Sequence, residues 1–120
     1  MEFEVKESKA LEDGRHEGVI TRVDYRTEPY KYTDVYIKES KTGYELKYGC
    51  PSDVSEKTKL GKLLFRFSPL TLGEMVNPET ILVGKAVVFM SIQEENKQGN
   101  FTRVVDGSVK PLEKPEDKKL

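Results

Sequence analysis

The chain has one cysteine, one histidine and no tryptophan among its 120 residues. A lone thiol, Cys50, can form no internal disulfide, which excludes a disulfide-stapled secreted scaffold. One Cys and one His (His16) cannot supply the four ligands of a structural zinc site, and no metal is expected. No apolar run approaches the roughly 18 residues of a membrane span. The opening Met1-Glu2-Phe3-Glu4-Val5-Lys6 is acidic and alternating, without the basic and then apolar regions of a signal peptide, so a cytoplasmic protein is expected. Twenty Lys and Arg stand against twenty-one Asp and Glu, a formal net charge of −1. Only a local patch could therefore draw an anionic partner.

Catalytic signatures are missing too. The P-loop, Rossmann and HExxH patterns are absent, and nothing around His16 assembles a Ser/His/Asp or Cys/His constellation. His16 reads as a surface or rim residue and Cys50 as a small buried apolar one. The chain is not expected to be an enzyme or to carry a cofactor.

What is present is a β-rich pattern. The length suits a single domain, and 36% hydrophobic with 34% charged residues implies a thin core under a solvated surface. Residues 1–13 read as a partly ordered lead-in, 14–110 as the domain, and the Pro- and charge-rich 111–120 as a loose tail. A first strand runs from about His16 to Arg26, with Val19, Thr21, Val23 and Tyr25 at period two. Gly18 marks a bulge or bend, and Glu28-Pro29 ends the run. A second strand, about Tyr30 to Glu39, puts Thr33, Val35 and Ile37 on one face and Tyr30, Tyr32, Asp34, Tyr36 and Lys38 on the other. Ser40-Lys41-Thr42-Gly43 is a hairpin turn, and a third strand, Tyr44 to Tyr48, stops at Gly49-Cys50-Pro51.

A helix follows, capped by Asp53 or Ser55, with Leu60, Leu63, Leu64 and Phe67 forming one apolar stripe. Its opposite face carries Lys59, Lys62 and Arg66, a pattern that solvation alone explains. Asn77-Pro78-Glu79 opens a short second helix closed by Gly84. Lys85 to Gln93 is apolar on both faces, which predicts a central, covered strand. Phe101 to Val105 is a fifth strand, ended by Asp106-Gly107. The order β-β-β-α-β-β is that of an OB barrel, five strands with a helix between the third and fourth, though other small Greek-key barrels share the strand count.

All six tyrosines fall between Tyr25 and Tyr48. OB barrels bind single strands on the face of strands two and three, where bases stack on aromatic rings and basic residues track phosphates. The candidate surface is Tyr30, Lys31, Tyr32, Tyr36 and Lys38, with Arg22, Arg26, Lys41 and Lys47 nearby and Phe101 and Arg103 extending it from strand five. Tyr44 and Tyr48 share a face with Leu46 and read as core. Strand tyrosines also serve simple packing, and Asp34 in mid-face opposes phosphate binding.

With these residues in view, the chain resembles the small OB-fold single-stranded DNA-binding proteins of phages and prophage-like regions, over roughly residues 11–111. The resemblance rests on Leu11-Glu12-Asp13-Gly14-Arg15-His16-Glu17-Gly18-Val19-Ile20 and Tyr32-Thr33-Asp34-Val35-Tyr36-Ile37. It continues through Leu60-Gly61-Lys62-Leu63-Leu64, Leu82-Val83-Gly84-Lys85-Ala86-Val87-Val88-Phe89 and Gly99-Asn100-Phe101. It implies non-catalytic binding of single strands in replication or recombination; single-stranded DNA is the expected partner, with RNA an alternative, and a homo-oligomer or a replication or recombination protein partner is a further expectation. The chain departs from that pattern in lacking tryptophan and an acidic C-terminal tail. The alternative is an OB-type protein-interaction module.

Overall fold

The computed structural model describes Glu2, residues 11–96 and residues 99–112. The expectations for the rest of the lead-in and for the tail beyond Leu112 lie outside the described residues. Among the described residues eight elements follow one another: β1 (Gly14–Arg26), β2 (Tyr32–Glu39), β3 (Glu45–Pro51), α1 (Lys59–Phe65), α2 (Pro78–Leu82), β4 (Ala86–Asn96), β5 (Gly99–Val104) and β6 (Lys110–Pro111). Every pairing is antiparallel, in the order β3-β2-β1-β4-β5, with β6 also on β4. The sheet is open, not the expected closed five-stranded barrel: β3 and β5 end the ladder and do not pair with each other. Short side-chain bridges span that seam, among them Gly107 N–H donating to Tyr48 Oη at 3.0 Å. No described helix is long and apolar enough to cross a membrane.

β1 is shared between two neighbours. Residues 14–19 pair with β4 and 18–26 with β2, so the strand changes partners at Gly18 and Val19. Gly18 is small because β2 crosses it closely: a Cβ there would meet the Lys38 carbonyl oxygen at 2.5 Å. The bulge itself falls three residues later, where Ile20 pairs with Ile37 and Arg22 with Tyr36, leaving Thr21 as the extra residue. The bulge breaks the expected alternation: before it Ile20, not Val19, points inward, while after it Val23 keeps the expected side. Ile20 and Val23 face the core, whereas Val19 and Tyr25 are exposed.

The core joins Ile20, Val23, Val35, Ile37, Val87 and Phe89 from the sheet to Leu60, Leu63 and Leu64 of α1 and Leu82 of α2. Leu11, expected in the lead-in, is also buried. The β2 alternation follows the sequence pattern, with Thr33, Val35 and Ile37 inward. β3 runs on through Gly49 and Cys50 to Pro51, three residues past its expected stop, because Gly49 and Cys50 still pair with Asp34 and Thr33. β4 is covered on one face only: Val87, Phe89 and Ser91 are fully buried, but Met90 on the other face is exposed.

α1 starts later than expected. Its cap is Thr58, whose Oγ1 accepts from Gly61 N at 3.1 Å, rather than Asp53 or Ser55. Ser55 instead folds back over the helix, and Gly61 must be glycine there: a Cβ would lie 1.8 Å from the Ser55 carbonyl oxygen. Asn77 caps α2 as read from the sequence, with Pro78 in the first turn.

Candidate nucleic-acid interface

The ladder across β1, β2 and β3 sets three rows on the outer face: Arg22–Tyr36–Lys47, Asp24–Asp34–Gly49 and Arg26–Tyr32–Pro51. The bulge at Thr21 brings Arg22 onto this face. The Arg22 guanidinium lies 3.7 Å from the Tyr36 ring centroid, and that of Arg26 lies 4.9 Å from Tyr32. Each arginine therefore covers a tyrosine face, a cation–π arrangement, and both rings are half-buried.

Carboxylates hold the arginines in place. Arg26 grips Asp34 in bidentate fashion, Nε to Oδ2 at 2.6 Å and Nη2 to Oδ1 at 3.0 Å. This hydrogen bond is the main cause that raises the Arg26 pKa. Asp34 is only 1% exposed, so the acid expected in the middle of an open face lies beneath its partner. Gly49 makes room for it: a Cβ on Gly49 would be 3.1 Å from Asp34 Oδ1. Arg22 donates to Asp24 and, at 3.2 Å, to Glu45 Oε1, and the Glu45 bond leads the upward shift of its pKa. Thr21 Oγ1 donates to the other Glu45 oxygen at 3.0 Å. The bulge residue thus orients the acid that orients the arginine.

The expected site residues are brought together only in part. Tyr32, Tyr36, Arg22, Arg26 and Lys47 share the outer face, and Lys38 continues it beside Glu45. Tyr30 lies in the β1–β2 turn rather than in a strand and is 72% exposed, with exposed Lys31 next to it. Tyr25 lies on the opposite side of β1, near Glu79 of α2, where partial burial raises its pKa. Tyr48 is buried as expected, and Tyr44 packs on the core. Phe101 and Arg103 sit on β5, separated from β2 by β1 and β4. Arg103 is occupied by Glu94 at 2.9 Å.

Sequence reasoning missed a second polar cluster at the far end of the same strands. Glu39, 2% exposed, accepts on Oε1 from Lys41 N, Thr42 N and Thr42 Oγ1 at 3.0, 2.7 and 2.8 Å. Its Oε2 is 3.3 Å from His16 Nδ1, while His16 Nε2 is 2.7 Å from the Glu12 carbonyl oxygen. Burial alone would push the Glu39 carboxyl up, but the Thr42, His16 and Lys41 donors outweigh it and hold it below the usual range. This cluster fixes the β2–β3 turn to the start of β1. The Cys50 thiol, fully buried, is pushed up to about 12 by burial and is chemically quiet.

No protein-family model matches the chain, and no curated protein matches it at a significant level. Among the described residues no group of three or more His, Cys, Asp or Glu is gathered as a metal site.

Proposed function

We propose that this chain is an OB-type domain that binds single-stranded nucleic acid without catalysis, DNA being the preferred form, through the outer face of β1, β2 and β3. The OB reading draws support from the long first strand shared by β2 and β4 and from helices placed between β3 and β4. The observation that carries the functional reading is the pair of arginine-covered tyrosines, Arg22 on Tyr36 and Arg26 on Tyr32. Bases stack on guanidinium planes as well as on aromatic rings, so a planar cation over a ring offers a stacking platform that is insensitive to sequence. Tyr30 and Lys31 in the adjoining turn add an open ring and a charge, and Lys38 and Lys47 flank the platform.

The test is a fluorescence-anisotropy titration of labelled single-stranded oligonucleotides, with a duplex control, at low and moderate salt. Micromolar or tighter binding to single strands and weaker binding to duplex are expected. Stacking contributes about 1–3 kcal/mol per base, so Tyr36→Ala should weaken binding by about tenfold or more. Binding that survives Tyr32→Ala and Tyr36→Ala together would overturn this assignment of the face.

A second reading, a protein-interaction module, is favoured by the other half of the outer face. There Val19, Met90 and Phe101 are each 40% or more exposed, beside half-buried Val88 and Ile92. Exposed apolar strips of this kind mark contact surfaces. A stable oligomer by sedimentation, lost on Met90→Asp, would support it.

A further inference from the structure

At the α1 end of the molecule, cations outnumber acids around one cavity. Lys57, Lys59, Lys62 and Arg66 line it together with Tyr48 and Asp106, enclosing about 350 Å³. Among the described residues Asp106 is the single carboxylate in that lining, in a chain whose formal net charge is −1. Glu56, next to Lys57 in sequence, lines the groove on the other side of the helix instead. Lys59 Nζ is 2.9 Å from Asp106 Oδ1 and 4.3 Å from the Tyr48 ring centroid. Arg103 Nη1 approaches the same carboxylate oxygen at 4.0 Å, so Asp106 is already shared between two cations.

The frame behind these charges is fixed. Arg66 Nη1 donates to the Val109 carbonyl at 2.7 Å, and Tyr48 Oη accepts from Gly107 N. Helix α1, strand β3 and the β5–β6 turn are thereby tied together, while Lys57 and Lys62 stand exposed. Ammonium groups carried on such a frame around a concavity suit phosphate oxygens, to which Lys presents a point charge.

We propose that this cavity is a phosphate-binding surface for the backbone of a single-stranded nucleic acid, an inference that rests on the reading above. Both arginines of the Tyr–Arg face are already engaged by Asp24, Asp34 and Glu45, which leaves only Lys38 and Lys47 there for phosphate, so a strand stacked on that face gains from further cations elsewhere. β3 joins the two places. Lys47 stands on the outer face beside Tyr36, and the next residue, Tyr48, floors the cavity on the other side. Because β3 is an end strand with no strand paired on its outer side, a bound chain passes over that edge, beside the Tyr48–Gly107 bridge, from one surface to the other.

The deciding probe is a labelled abasic oligonucleotide, which has phosphates but nothing to stack. The full chain should bind it at low salt and release it as salt rises. Lys57→Glu with Lys62→Glu should weaken that binding by about tenfold and lower the salt slope by about two. The milder Lys57→Gln with Lys62→Gln should act in the same direction, which guards against a folding defect in the charge reversal. Tyr36→Ala should leave the abasic strand bound while weakening the base-bearing one, so failure of the stacking reading is seen separately. Abasic binding that is absent at low salt, or unchanged by both lysine pairs, overturns the proposal. Preference for poly-glutamate over the abasic strand also overturns it, in favour of an acidic protein partner.

Discussion

On the outer face of β1 and β2, Arg22 and Arg26 each lie within hydrogen-bond reach of a carboxylate, whereas around α1, among the described residues, Lys57, Lys59, Lys62 and Arg66 line a cavity with one acid, Asp106, which Lys59 engages. The first surface is aromatic and internally neutralised; the second is cationic and nearly free of rings. Their frames differ as well. Strand register holds the outer-face residues in rows, so each arginine finds its acid either two residues along β1 or across on the next strand. The α1 cations depend on how a helix of seven residues docks on the core. Net charge is therefore a poor guide here: the same near-zero sum hides one surface suited to bases and another suited to phosphates.

Disturbing the helix alone gives the sharpest separation of the two. Gly61→Ala forces a methyl into the Ser55 carbonyl, which lies 1.8 Å from the required position. Overpacking against backbone should cost about 3 kcal/mol and displace α1, visible as a large fall in Tm. Binding of the abasic strand should fall with it, while the Arg22–Tyr36 row, built on the ladder, should keep its NMR signature. Loss of both together would mean that the surfaces are one cooperative unit.

Next in size is Asp34→Ala, which acts on the neutralised surface. Removing a carboxylate that is 1% exposed frees Arg26 from its bidentate grip and leaves a gap over Gly49. The Tm should drop by roughly 5 °C. Affinity for single-stranded DNA should nevertheless rise at low salt, because Arg26 becomes available to phosphate. A variant that loses stability and affinity together would show that the acid positions the arginine for binding rather than withholding it.

A smaller effect is expected from acid. Glu39 anchors the β2–β3 turn and His16, and so holds the outer-face strands but not α1; Glu12, Asp13, Arg15, Glu17 and Lys41 line the same cavity. Its folded pKa is lowered, so the stability it adds is present above the unfolded carboxylate pKa and is lost as pH falls through the folded value. Acid unfolding followed at the Tyr signals of β2 should thus show a limb that Glu39→Gln flattens. An unchanged acid limb in the variant would remove Glu39 from the account.

Much of this fold could be read from residue patterns, and the failures have identifiable causes. Val35 and Ile37 alternate cleanly, Leu60, Leu63 and Leu64 keep helical spacing, and Asn77-Pro78 is a local cap; each signal lies within a few residues. The bulge at Thr21 does not, since it depends on which residue of β2 faces β1, and it put Val19 outward and Ile20 inward against the apparent period. Thr58 displaced Asp53 and Ser55 as the cap because Gly61 lets Ser55 fold over the helix, a tertiary fit. Barrel closure was a matter of whether β3 meets β5, about which element order is silent. The tyrosines of β2 and the nearby Arg22 and Arg26 were legible, but the stacking of one on the other was not: Arg26 reaches Asp34 across eight residues, and only the register reveals it.

The smallest change tests whether the neutralised surface has an open end. Tyr30 is 72% exposed in the β1–β2 turn, with no arginine stacked on it, and removing it should leave Tm unchanged. If the covered rings of Tyr32 and Tyr36 are the platform, Tyr30→Ala should lower affinity for a base-bearing oligonucleotide only about threefold, less than a full single-base stack contributes, and leave abasic binding intact. A loss as large as that of Tyr36→Ala would instead place the main stacking contact in the turn. The arginine-covered rows would then be structural, holding β1 against β2, and the binding path would run from Tyr30 and Lys31 along the exposed turn rather than across the strands.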